Sequence, residues 1–360
     1  MRAVVYDRVG ELPVIRDLPE PECAPHGVVV RVTATGVCRS DWHAWVGHDA
    51  VALPHVPGHE LAGVVERVGA LVTRWEAGAR VTVPFVCACG SCPACVDGEH
   101  QVCLEQTQPG FTSYGSFAEL VALDHADLNL VALPEEVDDV SAAALGCRFA
   151  TAYRALLHVA RVASGEWVSV HGCGGVGLSA VMIARATGAR VIAVDVSPAA
   201  LAWAGRLGAE HLVDAREPEV ATRVRELSGG GAHVSVDALG SRRTLSDAVA
   251  GLRWRGRHVQ VGLLLGEDAL PPVDMGLVVS RELQLFGSHG MAAHAYPQML
   301  AEIAAGAIRP ERLVARVVDL EDAPAALAGM DAAGRHPGTI VVLPGGGSPA
   351  VSRAGLPRRR

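Results

Sequence analysis

Four cysteines in the run Cys89-x2-Cys92-x2-Cys95-x7-Cys103 can close four thiolates around one tetrahedral zinc ion at Zn–S distances of ~2.3 Å, leaving no coordination position open. They sit in a stretch of Gly, Ser, Pro and Asp with little hydrophobic pattern of its own. Four exposed thiols at that density would be a redox liability with no compensating burial, so a structural metal is the better reading. A second set is scattered: Cys38 in Gly36-Val37-Cys38-Arg39-Ser40-Asp41, His59 and Glu60 after Pro57-Gly58, and Cys147 in Leu145-Gly146-Cys147-Arg148-Phe149. Read singly, each is more simply a core or hydrogen-bonded residue. Read together, two cysteines and one histidine make the open ligand set that keeps a fourth position for water or substrate, with the metal acting as a Lewis acid. Scattered ligands need the fold to gather them.

A third motif is a glycine loop, Gly172-Cys173-Gly174-Gly175-Val176-Gly177, preceded by the strand-like Trp167-Val168-Ser169-Val170-His171 and followed at once by an apolar helical run. In that context it is a dinucleotide fingerprint. Gly172 allows the tight turn, Gly174 lets the backbone approach a pyrophosphate, and Gly177 lets the helix pack close to the strand while its N-terminus faces the phosphates. Asp195 ends the next strand, 23 positions after Gly172, near the offset of a carboxylate that grips a ribose diol. A carboxylate there repels a 2′-phosphate, and Val196-Ser197-Pro198 offers no arginine in its place, so NAD is preferred to NADP. Asp195 acting only as a cap for the helix begun by Pro198 would explain neither the spacing nor the glycines.

The elements that must carry these groups fall into two rhythms. Up to about residue 145, short strand-like runs at 28–32, 63–68, 80–86 and 117–121 are broken by Gly and Pro, which implies a compact β-rich domain. From about 147 the pattern alternates: strands at 167–171, 190–195, 211–213, 233–239, 256–261 and 283–287, with helices at 176–187, 198–207, 220–227 and 242–252. That is a doubly wound parallel sheet. A helix near 295–305 and strands near 316–318 and 339–343 are assigned back to the first domain. The stretch 344–360, rich in Gly and Pro and ending in three arginines, is expected to be a flexible extension. A chain of 360 residues, half of them hydrophobic, has more than one compact core usually needs. Its net charge of −8 and the lack of a basic stripe before the extreme C-terminus argue against nucleic-acid binding. Met1-Arg2-Ala3-Val4-Val5-Tyr6 goes straight into a strand-like run without a secretory h-region, and no uncharged stretch reaches the ~18 residues of a membrane span. A soluble cytoplasmic protein is expected, in which nine cysteines serve as ligands rather than disulfides. Cys87, just outside the four-cysteine pattern, reads as a small buried hydrophobe.

Taken in order, these motifs resemble the medium-chain zinc-dependent alcohol dehydrogenases, over residues 1 to 343. The resemblance implies an α/β fold: a GroES-like β-rich catalytic domain over 1–148, rejoined by 288–343, plus a Rossmann doubly wound parallel sheet over 149–287 that binds NAD, with the active site in the cleft between them. It implies two zinc ions per chain. Cys38, His59 and Cys147 look like the ligands of the catalytic one, Glu60 like the nearby carboxylate that approaches the metal during ligand exchange, and Asp41 like the partner orienting His59. Cys89, Cys92, Cys95 and Cys103 would hold the structural ion. Ser40 matches the hydroxyl that hydrogen-bonds the bound alcohol, and His43 the histidine that passes its proton to solvent. Trp45 and Phe85 fall where substrate-pocket walls are placed, favouring a primary alcohol, allylic or aromatic included, over a bulky secondary one. Arg39 would lie beside the pyrophosphate, with Gly174, Gly175 and Val176 of the glycine loop, while Gly262, Leu263 and Ser288 end late strands where the nicotinamide amide is held. One departure is that the basic residue frequent in the family near the last strand has no clear counterpart after Thr339, Arg335 lying earlier. The family's habit implies a homodimer or homotetramer acting on a small-molecule alcohol or aldehyde. The competing readings are a zinc-free quinone or enoyl reductase on the same scaffold, which has no use for either ligand set, and a non-catalytic dinucleotide-binding protein.

Overall fold

The computed structural model describes residues 1–330 and 337–345. The expected extension therefore lies outside the described residues beyond Gly345, as does Arg335.

Two sheets organise the chain. The first runs in the order Val314–Asp319, Thr339–Leu343, Val28–Val37, Glu60–Val68, Arg80–Thr82, Val131–Ala132, with Leu120–Leu123 pairing to Val28–Val37 beside that path. Val28–Val37 is its central strand: four of its first six residues are buried, Arg31 being exposed and Thr33 partly so, and its last four are all buried. The late strand Thr339–Leu343 pairs antiparallel with it, Ile340 opposite Val37, so the chain's end returns to its beginning. The second sheet has six strands in the order His211–Asp214, Arg190–Asp195, Trp167–His171, Ala232–Asp237, Leu252–Gln260, Gln284–Gly287, and each neighbouring pair is parallel. This is the doubly wound order, whose direction of winding reverses between the first strand, Trp167–His171, and the fourth, Ala232–Asp237. All five residues of Trp167–His171 are buried, as a strand covered by helices on both faces must be.

Local chemistry accounts for the element ends. Ser197 caps the helix Pro198–Leu207 by accepting from the Ala200 N–H, Pro198 stands at its first turn, and Gly208 at φ 111° stops it. The helix Gly175–Ala186 has no side-chain cap: glycine stands at its N-cap, so its first amides keep their donors for something else. The strand expected over 80–86 ends at Thr82. Pro84 cannot donate to a ladder, and the next amide, Phe85 N–H, goes instead to the Gly146 carbonyl at 3.2 Å. That bond draws the chain off the sheet toward a helical rod over 145–159, in which the α-turns Ala150–Tyr153 are flanked by π-helical turns Leu145–Phe149 and Arg154–Val159. π-turns were not foreseen from periodicity, and they are frequent at functional sites. Leu145, Phe149, Tyr153 and Leu156 on this rod share one hydrophobic core with Ala34 and Ala62 of the first sheet, with Val168 of the second and with Leu178 of the helix Gly175–Ala186. The rod thus fastens the two sheets together. Among the described residues no helix is long and apolar enough to cross a membrane.

Candidate metal and dinucleotide sites

The scattered ligand set is delivered by three element ends. Val28–Val37 runs into Cys38, the N-cap of the helix Arg39–Trp45; His59 immediately precedes the strand Glu60–Val68; Cys147 sits on the π-turn Leu145–Phe149. Ligand-type atoms of Cys38, His59, Glu60 and Cys147 lie within 4.8 Å of one another. Asp41 organises them. One carboxylate oxygen accepts from His59 Nδ1 at 2.7 Å and from the Gly58 N–H at 3.0 Å, and the other accepts from the Cys38 N–H at 3.0 Å. With Nδ1 donating to Asp41, the tautomer leaves a lone pair on His59 Nε2, which is buried and has no hydrogen-bond partner. An imidazole held by a carboxylate, with its other nitrogen aimed bare at two sulfurs, is the arrangement of a metal ligand and is costly otherwise.

The electrostatics point the same way. A hydrogen bond from Cys147 holds the Cys38 thiol well below its usual range, helped by the charges of Arg148 and His59. Cys147 is raised as the donor of that bond and by burial, so the two sulfurs share a proton that a dication would replace. Burial alone would lower His59, but Asp41 and Cys38 outweigh it and raise its pKa, so at this nitrogen, as at the sulfurs, a dication would take the place of a proton. Burial pushes Glu60 up against the opposing charge of Arg148. That arginine, which sequence reasoning passed over, donates from Nε and from its own backbone N–H to Glu60 Oε1, both at 3.0 Å, and pairs through Nη2 with Oε2. A charged residue within the apolar run around Cys147 was the signal for it.

Around this cluster, the Ser40 hydroxyl lies 3.8 Å from Cys38 Sγ. His43 Nδ1 is 2.8 Å from His48 Nδ1, and its pKa is lowered by partial burial and by Arg39 and His48. Phe85 stands edge-on to His59, ring centroids 6.3 Å apart, and to His289 at 5.1 Å; Phe111 packs on His59 at 5.2 Å. Phe111 and His289 come from irregular loops without periodicity, so no sequence pattern marked them. Trp45, expected at the cavity wall, donates its indole N–H to the Glu11 carbonyl at 2.6 Å and packs against the cluster that holds Val4, Val37 and Phe117.

The four sulfurs of Cys89, Cys92, Cys95 and Cys103 also lie within 4.8 Å of one another. Backbone amides aim at them: Ser91 and Cys92 donate to Cys89 Sγ, and the Cys89 N–H to Cys103 Sγ. The two amides lower Cys89 to about 6, while burial pushes Cys95 up to about 12. Cys87 is buried with its thiol on the Pro84 carbonyl, and burial raises its pKa to about 12, as a small hydrophobe's would be.

The glycine loop lies at the carboxyl end of Trp167–His171, where the sheet's winding reverses. Gly172 has φ +90°, and a Cβ on Gly177 would strike the Gly172 carbonyl oxygen, so the turn and the close helix approach each exclude a side chain. Gly174 is exposed with open space before it, and Val176 is half-buried on the helix's first turn. Asp195 accepts from the Cys173 N–H at 2.6 Å and the Ser197 N–H at 2.7 Å, which sets its carboxylate at the loop's edge. Opposite, Gly262 donates to the Asp237 carbonyl at 2.8 Å with Leu263 exposed beside it, and Ser288 donates its N–H to Gln260 while its buried hydroxyl has no partner. Arg39 lays its guanidinium over Trp42, 4.0 Å from the ring centroid, and donates to the Met330 carbonyl.

Comparison with known proteins agrees with this geometry. The profile of the alcohol dehydrogenase GroES-like domain matches residues 24–135, and that of the zinc-binding dehydrogenases matches residues 175–305. An alcohol dehydrogenase of Rhizobium meliloti (strain 1021) is 38% identical over 278 residues, which are 76% of this chain and 80% of that protein. Among solved structures, an NAD-dependent alcohol dehydrogenase superposes with a TM-score of 0.86 at 31% identity, covering 96% of this chain and 100% of the other. The alcohol dehydrogenase TADH from Thermus sp. ATN1 gives 0.87 at 31% identity, covering 95% of this chain and 99% of the other.

Proposed function

The chain belongs to the zinc-binding dehydrogenases with an alcohol dehydrogenase GroES-like domain, and from that membership we propose that it is a zinc-dependent alcohol dehydrogenase moving hydride reversibly between a primary alcohol or its aldehyde and NAD. The observation that carries the reading is the bare, buried Nε2 of His59 among two thiols, with Nδ1 committed to Asp41.

Cys38, His59 and Cys147 would hold the catalytic ion, and Cys89, Cys92, Cys95 and Cys103 the structural one. When bound, zinc supplies Lewis acidity to the substrate oxygen and the nicotinamide ring takes or gives the hydride. The protein's own groups do the rest. Asp41 fixes the His59 tautomer and ring plane. Ser40 and His43 carry the substrate's hydroxyl proton outward; the lowered pKa of His43 keeps a neutral imidazole ready to accept it near pH 7. Phe85 and Phe111 narrow the space beside His59 and exclude water, which favours an unbranched or planar alcohol. The uncapped amides of Gly175–Ala186 meet the pyrophosphate, and Asp195 takes the ribose diol and repels a 2′-phosphate. We place the domain boundaries at 148/149 and 287/288, and the setting as cytoplasmic. A homo-oligomer joined along the edge strand Gln284–Gly287, whose Leu285 is exposed, completes the reading.

The test is metal analysis of the purified protein combined with NADH formation across aliphatic, allylic and benzylic alcohols. Two zinc ions per chain and alcohol-dependent NADH formation that is lost on metal removal are expected. Undiminished turnover by the metal-stripped protein overturns the reading and favours a zinc-free reductase.

A further inference from the structure

Arg148 is only 7% exposed, an extreme position for an arginine. Its reach is what distinguishes it. The aliphatic stem lies across Gly175, so close that a Cβ on that glycine would strike Arg148 Cδ; the guanidinium ends on Glu60, within the metal-ligand cluster. Three donors of this single residue, Nε, Nη2 and the backbone N–H, converge on the two carboxylate oxygens. The strand Val28–Val37 closes the other side, because a Cβ on Gly36 would meet both Glu60 Oε2 and Arg148 Nη2. Glu60 is therefore near enough to coordinate an ion held by Cys38, His59 and Cys147, yet its oxygens are engaged elsewhere.

Charge makes the arrangement consequential. Two thiolates balance a dication and Arg148 balances Glu60, while the remaining buried carboxylate, Asp41, is held by the His59 Nδ1–H and two backbone amides. Removing one partner of a buried pair strands the other. A stranded carboxylate beside a dication would take the fourth coordination position, the one that substrate needs.

We propose that Arg148 is a positioning residue that keeps the Glu60 carboxylate out of metal coordination, so that the fourth position stays open to substrate. The inference rests on the zinc reading of the Cys38, His59 and Cys147 cluster. It also gives Gly175 a task beyond phosphate approach: a side chain there would push the arginine off Glu60.

The experiment uses full-length protein with cobalt(II) replacing zinc, whose visible absorption reports ligand type and number, together with chelator extraction rates and steady-state kinetics. In Arg148→Met, the free-enzyme spectrum should change to that of an added carboxylate ligand. Metal release to chelator should slow about tenfold and kcat/KM should fall about a hundredfold. In the double variant Glu60→Gln with Arg148→Met, the spectrum should return toward wild type and kcat/KM should recover at least about tenfold over the single variant. A structural role alone predicts no such rescue. Should Arg148→Met not fold, Arg148→Lys, which keeps the charge but loses the two-nitrogen geometry, should give a spectrum between the two. A wild-type spectrum and wild-type metal release in the single variant, or a double variant no better than the single, overturns the proposal. Failure of the zinc reading itself looks different: wild-type protein would then take up no cobalt at this cluster.

Discussion

The two cysteine-bearing clusters each gather four donor groups within 4.8 Å, but they are built in opposite ways. The lobe of Cys89, Cys92, Cys95 and Cys103 is closed by short loops, and backbone amides of the same segment point at its sulfurs. In the other cluster, Cys38 and Cys147 stand 109 positions apart in sequence, and the donors arrive on a strand end, a strand start and a π-turn. Local closure yields four like ligands and a saturated ion. Long-range assembly yields an unlike set, with a histidine oriented by Asp41 and a carboxylate restrained by Arg148, and that asymmetry leaves room for chemistry. One cluster should therefore answer to stability and the other to turnover.

The sharpest break of that contrast is Cys38→Ser. Losing a ligand of the Lewis acid should lower turnover by at least about a thousandfold, while fluorescence titration shows NADH binding largely unchanged, since the glycine loop is untouched. Normal activity in this variant would reject the catalytic reading. Asp41→Asn tests the orienting carboxylate: metal affinity at the catalytic cluster should drop about 10–100-fold, with the lobe's zinc content unaltered. Cys103→Ser should do the converse, removing one zinc per chain and lowering the melting temperature on the order of 5 °C, with kcat of the folded fraction within about twofold of wild type; a collapse of kcat at unchanged stability would erase the distinction.

Acid separates the regions further. Backbone amides lower the metal-free Cys89 thiol to about 6, and because protons compete with a bound ion for such thiolates, the lobe should release metal on acidification, at a pH below that value. The smallest effect belongs to a site in neither cluster. His171 is buried, and burial lowers its pKa from 6.5 to about 3. The unfolded chain takes up this proton first, so stability is complete above pH 6.5 and falls as pH drops from 6.5 toward 3. By pH 5 the loss is about 2 kcal/mol. Denaturant titrations of His171→Leu at pH 7 and pH 5 should show a pH-dependent loss smaller by about that amount, and an unchanged loss would show that another group carries it.

Several of these features were legible before any fold was known, and others were not. The lobe declares itself because its ring sizes are set by intervals of two and seven residues. The helix Pro198–Leu207 follows the period of 3.6 with its cap and stop in place, and the strand Arg190–Asp195 is a short unbroken apolar run ended by its acid. The π-turns at Leu145–Phe149 and Arg154–Val159 obey neither period, and the strand at Arg80–Thr82 is cut short by a tertiary bond from Phe85 to Gly146.

By itself, the amino-acid sequence determined which chemistry this protein carries: thiolates, an imidazole and a glycine loop with its acid, because covalent spacing and local backbone geometry do not depend on distant partners. Only the tertiary structure decided how that chemistry is disposed, seating Phe111 and His289 near His59, turning Trp45 to Glu11 and setting Arg148 on Glu60. Those juxtapositions join segments that are remote along the chain, and their energies belong to packing and burial between them.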